Sequence, residues 1–245
     1  EEIIENYSSI VISGIVLDAG MSSMQIDNAK RGFSFSKSGP LDMRMSQVGV
    51  TAYDLVNQLS ESELSNIIFY YGEERAAKAI AKAIVHERKL KTISSTDHLA
   101  HIVNRVKKPF SKYSTVNPAT KTFQAIRIAV NDELNELIKF LLAAERVLVS
   151  GAYLAIVTFH SLEDRVVKNF FKCRSGSKKS VSRYFPQINI DPVTFRELNK
   201  KVIKPSDNEL RENSRARSAK LRIGIRAGSE FIVGKQKAFE SGIPE

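Results

Sequence analysis

Two apolar runs, each breaking off in polar residues, constrain this chain more than any other feature. "IVISGIVL" at residues 10–17 runs into Asp18, and "AYLAIVTF" at 152–159 runs into "HSLEDR". Apolar runs of this length, bounded by glycine and serine, predict β-strands. The stretch between them carries helical periodicity. Strands separated by helices pair in parallel through a crossover, which predicts an α/β sheet with both strand ends on one edge. Open α/β sheets hold their ligands at that edge. Asp18 and the segment from Phe159 to Arg165 are therefore the first places to look for chemistry.

The intervening sequence reads as a long loop followed by a helical block. Residues 19–50 predict an ordered loop, with Phe33, Phe35, Leu41, Met43 and Met45 as apolar anchors. Thr51 with Asp54, and Ser60 with Glu63, have the spacing of helix-opening capping boxes, and Gly72 is expected to stop the second helix. "EERAAKAIAKAIVHERK" places Ala76, Ile80, Ala83 and Ile84 on one face, with Arg75, Lys78, Lys82 and Arg88 elsewhere around it. A further helix is expected from near Ser95 to Pro109. "NPATKTFQAIRIAVNDELNELIKFLLAAERVL" predicts a long helix that bends between Ile128 and Asp132. Its second half buries Leu134, Leu137, Ile138, Leu141 and Leu142 and stops at Ser150 and Gly151. A Ser/Gly/Lys-rich stretch after Arg174 reads as a flexible loop, and "SAKLRIGIRA" as a last strand.

The formal net charge of +10 favours a polyanionic partner. Arg215, Arg217, Lys220 and Arg222 form the densest basic run, which is either a solvated strand edge or a phosphate contact. Cys173 is the single cysteine, so a disulfide or a Cys-based zinc site within one chain is excluded and a reducing cytoplasm fits. No apolar run approaches the ~18 residues of a bilayer span, and Glu1, Glu2 and Glu5 argue against a signal peptide. His86, His98, His101 and His160 are too scattered to suggest a metal site, and none is expected. No glycine-rich phosphate loop is present. His160, Ser161, Glu163 and Asp164 tempt a hydrolytic reading, but no nucleophile elbow accompanies them. Ser161 is instead expected to cap the following helix, with Asp164 supporting its first turn; a direct role in the site is compatible with that.

Seven stretches, in order, resemble one family. They are "DAGMSSMQID", "RGFSF", "GPLDMRM", "YGEERAAKAIAKAIV", "NPATKTFQAIRIAVNDEL", "FHSLEDRVVKNFF" and "NSRARSAKLR", and they span nearly all of residues 13–226. The chain resembles the RsmH (formerly MraW) family, S-adenosylmethionine-dependent methyltransferases acting on a cytosine exocyclic amine in small-subunit rRNA. It departs at Asp18-Ala19-Gly20-Met21 (Asp-Leu-Gly-Val in the family), at Ser38-Gly39-Pro40 (Asp-Gly-Pro) and at Asn117-Pro118-Ala119 (His-Pro-Ala). The resemblance implies an α/β, Rossmann-like methyltransferase fold with an inserted all-helical domain, incomplete at its N-terminus. The family's first strands, glycine-rich cofactor loop and ribose-binding acid have no counterpart in this sequence. The expected division is 1–27 as part of the methyltransferase core, 28–127 as the inserted substrate-recognition domain, and 128–245 as the rest of the core.

The resemblance also places Asp18 and Gln25 at family positions that bind S-adenosylmethionine; it assigns no catalytic residue. Its implied partner is small-subunit rRNA or the ribosomal subunit, with no membrane, in the cytoplasm. Methyl transfer from a sulfonium is an in-line displacement, so alignment lowers much of the barrier. An acceptor for one amine proton, either the Asp18 carboxylate or a backbone carbonyl, would turn the amine nitrogen toward attack. Phe33, Phe35 or His160 could support a base drawn from its stack, although core packing is the ordinary role of such residues. The 245-residue chain alone is expected to be inactive. The alternative reading is a non-catalytic RNA-binding remnant or one part of a split enzyme.

Overall fold

The computed structural model describes residues 11–107, 117–176, 193–199 and 201–228. The described residues divide into a sheet unit, drawn from 11–20 and from 134 onward, and a helical unit, drawn from 21–133. The divisions fall at 20/21 and 133/134, where sequence reasoning set them at 27/28 and 127/128. Expectations for Pro109 and for the Ser/Gly/Lys-rich stretch after Gly176 lie outside the described residues.

In the sheet unit both apolar runs form strands, β1 (Ile12–Asp18) and β2 (Leu148–Thr158). They pair in parallel with Asp18 opposite Val157. A short β3 (Phe195–Glu197) and the expected last strand, β4 (Lys220–Arg226), complete the order β1-β2-β4-β3, with β4 antiparallel to both of its neighbours. Alternation sends Leu154 and Ile156 of β2 into the core, where the phenylalanines 170, 171 and 195 pack edge to face. Gly224 of β4 lies under the Phe171 ring, and any side chain there would strike it. The mixed sheet flanked by helices is the expected α/β class.

One boundary differs from the sequence reading. Ser150 and Gly151 do not stop a helix; the strand already runs through them from Leu148. Gly151 adopts φ 83°, and the pairing register with β1 shifts between Ile12 and Gly14, so this glycine sits in a local irregularity of the ladder.

The helical unit starts with a short α1 (Ser23–Asp27) and a 3-10 turn (Ala29–Arg31) inside what the sequence suggested was loop. The rest of that segment is ordered as expected. Phe33, Leu41 and Met43 are buried, with Phe35 and Met45 packed against them. Polar staples hold its backbone. Arg31 donates to the Arg44 and Met45 carbonyls, and Asn131 both donates to the Met43 carbonyl and accepts from the Met45 N–H.

Four helices follow: α2 (Ala52–Gln58), α3 (Glu61–Gly72), α4 (Ala77–Leu90) and α5 (Thr96–Val106). Both anticipated capping boxes form, Thr51 with Asp54 and Ser60 with Glu63. Gly72 is not the left-handed terminator, which is Glu73 at φ 48°. Instead Gly72 is buried where a Cβ would come within 2.7 Å of the Lys121 carbonyl oxygen, so its job is close packing against α6 (Thr120–Asn131). The long helical segment breaks within the expected window, at Asp132 (φ 50°), and resumes as α7 (Glu133–Val147). From α7, Leu137, Ile138, Leu141 and Ala144 enter the core of the sheet unit.

Candidate functional site

At the C-terminal edge of β1 and β2 two acids have opposite fates. Glu163 opens α8 (Ser161–Arg174) and is consumed by the fold. Its Oε2 accepts from the N–H groups of Phe159 (2.8 Å) and His160 (3.2 Å), and its side chain is 3% exposed. His160 returns the favour, with Nδ1 accepting from the Glu163 N–H. The cap of α8 is therefore His160 and not Ser161, which is the first helical residue. The imidazole Nε2 lies 3.1 Å from Glu163 Oε1 but lacks hydrogen-bond alignment. His160 is thus a structural cap, not a nucleophile's base.

Asp18 is left unused. It is exposed, and among the described residues no hydrogen bond or ion pair engages its carboxylate. Its backbone is nevertheless fixed, because Asp18 pairs with Val157 and the next N–H, of Ala19, donates to the Val157 carbonyl at 2.9 Å. Gly20 then turns the chain away at φ 100°. An unpaired carboxylate on a rigid strand end can accept a proton or a hydrogen bond without first breaking another contact.

The second candidate, Gln25, lies in the helical unit, whereas Asp18 lies in the sheet unit. Gln25 is the third residue of α1 and completes a capping box, its Oε1 accepting from the Ser22 N–H at 2.9 Å. The carboxamide is held by that bond, and its Nε2 hydrogens meet no partner among the described residues. Gln25 is therefore an oriented donor.

The basic run divides in two. Arg222 and Lys220 both reach Asp164 of α8, at 2.7 and 3.3 Å, so Asp164 clamps α8 to β4. Arg215 and Arg217 sit exposed on the 3-10 turn Ser214–Ser218. Half of the run is thus spent on an internal ion pair, a division that sequence alone left open. Burial pushes the Asp164 carboxyl up, but the Arg222 hydrogen bond and the two positive charges outweigh it and hold the group below its ordinary value of 3.8. A carboxyl lowered in the folded state stabilises fully above its unfolded value, and that contribution is lost as pH falls through the folded value. Urea denaturation followed by circular dichroism should show stability falling below about pH 4, and Asp164→Asn should flatten this limb while costing roughly 1–3 kcal/mol at neutral pH.

The aromatic candidates pack. Phe33 is 8% exposed beneath the Arg31 guanidinium, and Phe35 meets Phe123 edge to face at 5.1 Å. His98 lies 3.6 Å from Glu87, an ordinary surface pairing. Cys173 packs against the sheet unit's core. Sequence reasoning missed Glu145, which is wholly buried, receives Arg174 at 2.9 Å and Thr194 Oγ1 at 2.5 Å, and joins α7, α8 and the lead-in to β3. No local signal marks it, since its partners lie 29 and 49 residues away.

The sequence model described as the MraW methylase family matches residues 1–226. A protein of Roseobacter denitrificans named ribosomal RNA small subunit methyltransferase H is 52% identical over 218 residues, 89% of this chain and 66% of the relative. Proteins of the same name from Cereibacter sphaeroides and Methylobacterium nodulans are 54% and 55% identical, over 88% of this chain and 65% and 63% of their own lengths. The chain therefore spans about two thirds of the length of these relatives. Among the described residues, no helix is long and apolar enough to cross a membrane.

Proposed function

The chain belongs to the MraW methylase family, and from that membership we propose that it works as an S-adenosylmethionine-dependent methyltransferase on a cytosine exocyclic amine in small-subunit rRNA. The observation that carries the reading is Asp18, whose backbone is held by pairing to β2 and whose carboxylate has no partner among the described residues at the ligand edge of the sheet. Relatives more than half identical are named ribosomal RNA small subunit methyltransferase H, which supports a methyltransferase acting on that RNA.

Asp18 and Gln25 suit the cofactor and the target amine in chemical type. Asp18 offers an acceptor and Gln25 an amide donor oriented by its capping bond to Ser22, and among the described residues neither the Asp18 carboxylate nor the Gln25 amide hydrogens have another partner. When bound, S-adenosylmethionine supplies a methyl group activated by its sulfonium. The chain's own contribution is at the amine. Cytosine's exocyclic nitrogen is a poor nucleophile because its lone pair is delocalised into the ring. Asp18, accepting one N–H, draws that lone pair back onto nitrogen and takes the proton that must leave once the N–C bond forms. The helical unit is the substrate-recognition domain in this reading, the partner is small-subunit rRNA or the ribosomal subunit, and the work is done in the cytoplasm.

The test is methyl transfer by the polypeptide that the gene encodes. With S-adenosylmethionine labelled on the methyl group and unmodified small-subunit rRNA or subunits, nuclease digestion and mass spectrometry should find the label on a cytosine exocyclic nitrogen. Label on another base, or none on RNA, contradicts the proposal.

A further inference from the structure

We propose that the outer face of α4 is a phosphate-tracking surface for single-stranded RNA. Lys78, Lys82, His86 and Lys89 recur at three- and four-residue intervals and are all exposed. The opposite side of the helix buries Ala77, Ile80, Ala81 and Ile84, so the four basic residues share one solvent-facing stripe. From Lys78 to Lys89 the stripe is about 16 Å long, enough to lie along several consecutive phosphates.

Three observations separate this stripe from an ordinary solvated face. First, no acid interrupts it. The sole carboxylate of α4, Glu87, is committed to α5, with Arg105 at 2.7 Å and His98 at 3.6 Å. Among the described residues none of the three lysines has an ion-pair partner. Second, the fold shows which cation it needs on this helix. Arg88 donates to the Val56 and Leu59 carbonyls at 2.8 and 2.6 Å, closing the C-terminal end of α2. The lysines do no comparable work, and Lys78 with Lys82, one turn apart, repel each other. Third, Ala79 is exposed on the same helix, so no large side chain there holds an approaching backbone away. Three lysines without ion-pair partners among the described residues, beside the small Ala79, match a chain of phosphates better than they match a protein surface of mixed charge.

The inference rests on the proposed function for its choice of RNA, and it is tested without methyl donor so that the two can fail separately. The probe is a fluorescein-labelled single-stranded RNA of mixed sequence, about 16 nucleotides long. Binding is read by anisotropy over about 50 to 200 mM salt. Each phosphate contact on a single strand contributes about 0.7 to the slope of log K against log salt, so Lys78→Gln/Lys82→Gln/Lys89→Gln should lower the magnitude of that slope by about 2. Lys78→Arg/Lys82→Arg/Lys89→Arg should retain it. A control removing three exposed lysines elsewhere, Lys37→Gln/Lys168→Gln/Lys172→Gln, should change it by less than about 0.7. Equal loss in the two glutamine variants would mean that only net charge matters and would overturn the proposal. An unchanged slope in the α4 variant, or no binding by the unaltered protein, would overturn it as well.

Discussion

Asp18→Ala should slow methyl transfer by about 100- to 1,000-fold, the scale expected when a positioned proton acceptor is removed from a reacting centre. The loss should fall on kcat, because the acceptor matters most as the amine nitrogen gives up its proton, while the KM for RNA stays near its starting value. Stability should be untouched. Asp18 is exposed, its carboxylate makes no hydrogen bond or ion pair among the described residues, and its strand is held by backbone pairing to β2. Asp18→Asn should lie between the two, retaining an oxygen that accepts a hydrogen bond but unable to hold the proton. Single-turnover rates with labelled S-adenosylmethionine, beside thermal melts by circular dichroism, separate these outcomes. A rate within twofold of the unaltered protein would remove Asp18 from the mechanism.

Glu145→Ala should have the opposite profile, a large loss of stability in a residue that touches no candidate ligand position. Glu145 is 0% exposed and Arg174 is 1% exposed, their side chains meeting at 2.9 Å. The Thr194 hydroxyl binds the other carboxylate oxygen, and Arg226 donates to the Glu145 carbonyl at 3.1 Å. Burial lowers the Arg226 pKa, with the Glu145 charge opposing that shift and the Arg174 charge adding to it. Removing the carboxylate leaves two guanidinium groups in the core without the charge that balances them, at a cost of about 3–5 kcal/mol. Glu145→Gln should recover part of this by keeping shape and an acceptor. Because the chain lacks tryptophan, urea unfolding is best followed by circular dichroism. A loss under about 1 kcal/mol would show that water or neighbouring groups neutralise Arg174 without Glu145.

These two acids mark the boundary of what the sequence discloses. Asp18 was legible because its signal is local, an apolar run that ends on a carboxylate, and strand β1 stops there. Thr51 with Asp54 and Ser60 with Glu63 were legible for the same reason, since a capping box is closed over three residues. The bend expected between Ile128 and Asp132 falls at Asp132, at φ 50°. Glu145 carried no such mark. In sequence it is one more charged residue on an amphipathic helix, and its burial arises only when Arg174, Thr194 and Arg226 arrive from distant segments.

Other misreadings have equally specific causes. Ser161 looked like the cap of α8 because serine usually is one, yet the imidazole of His160 fills that position with a ring nitrogen as acceptor. Gly151 looked like a helix stop because glycine in a left-handed conformation commonly is one, yet it serves a ladder irregularity inside β2. Gly72 is retained for the space it leaves beside Lys121, a tertiary requirement with no local pattern. The basic run from Arg215 to Arg222 could not be divided by eye, because Asp164, which neutralises its second half, lies 56 and 58 residues away. Gln25 was singled out by family resemblance alone, and its structural role as a capping partner is what keeps its amide oriented.

The placement of Asp18 is most directly tested by a crystal structure of the gene product with S-adenosylhomocysteine and a cytidine-containing RNA. An Asp18 carboxylate oxygen should lie within about 3.2 Å of the cytosine exocyclic nitrogen, that nitrogen being turned toward the cofactor sulfur. A cytosine bound with its amine beside the sulfur but out of reach of Asp18 would contradict it.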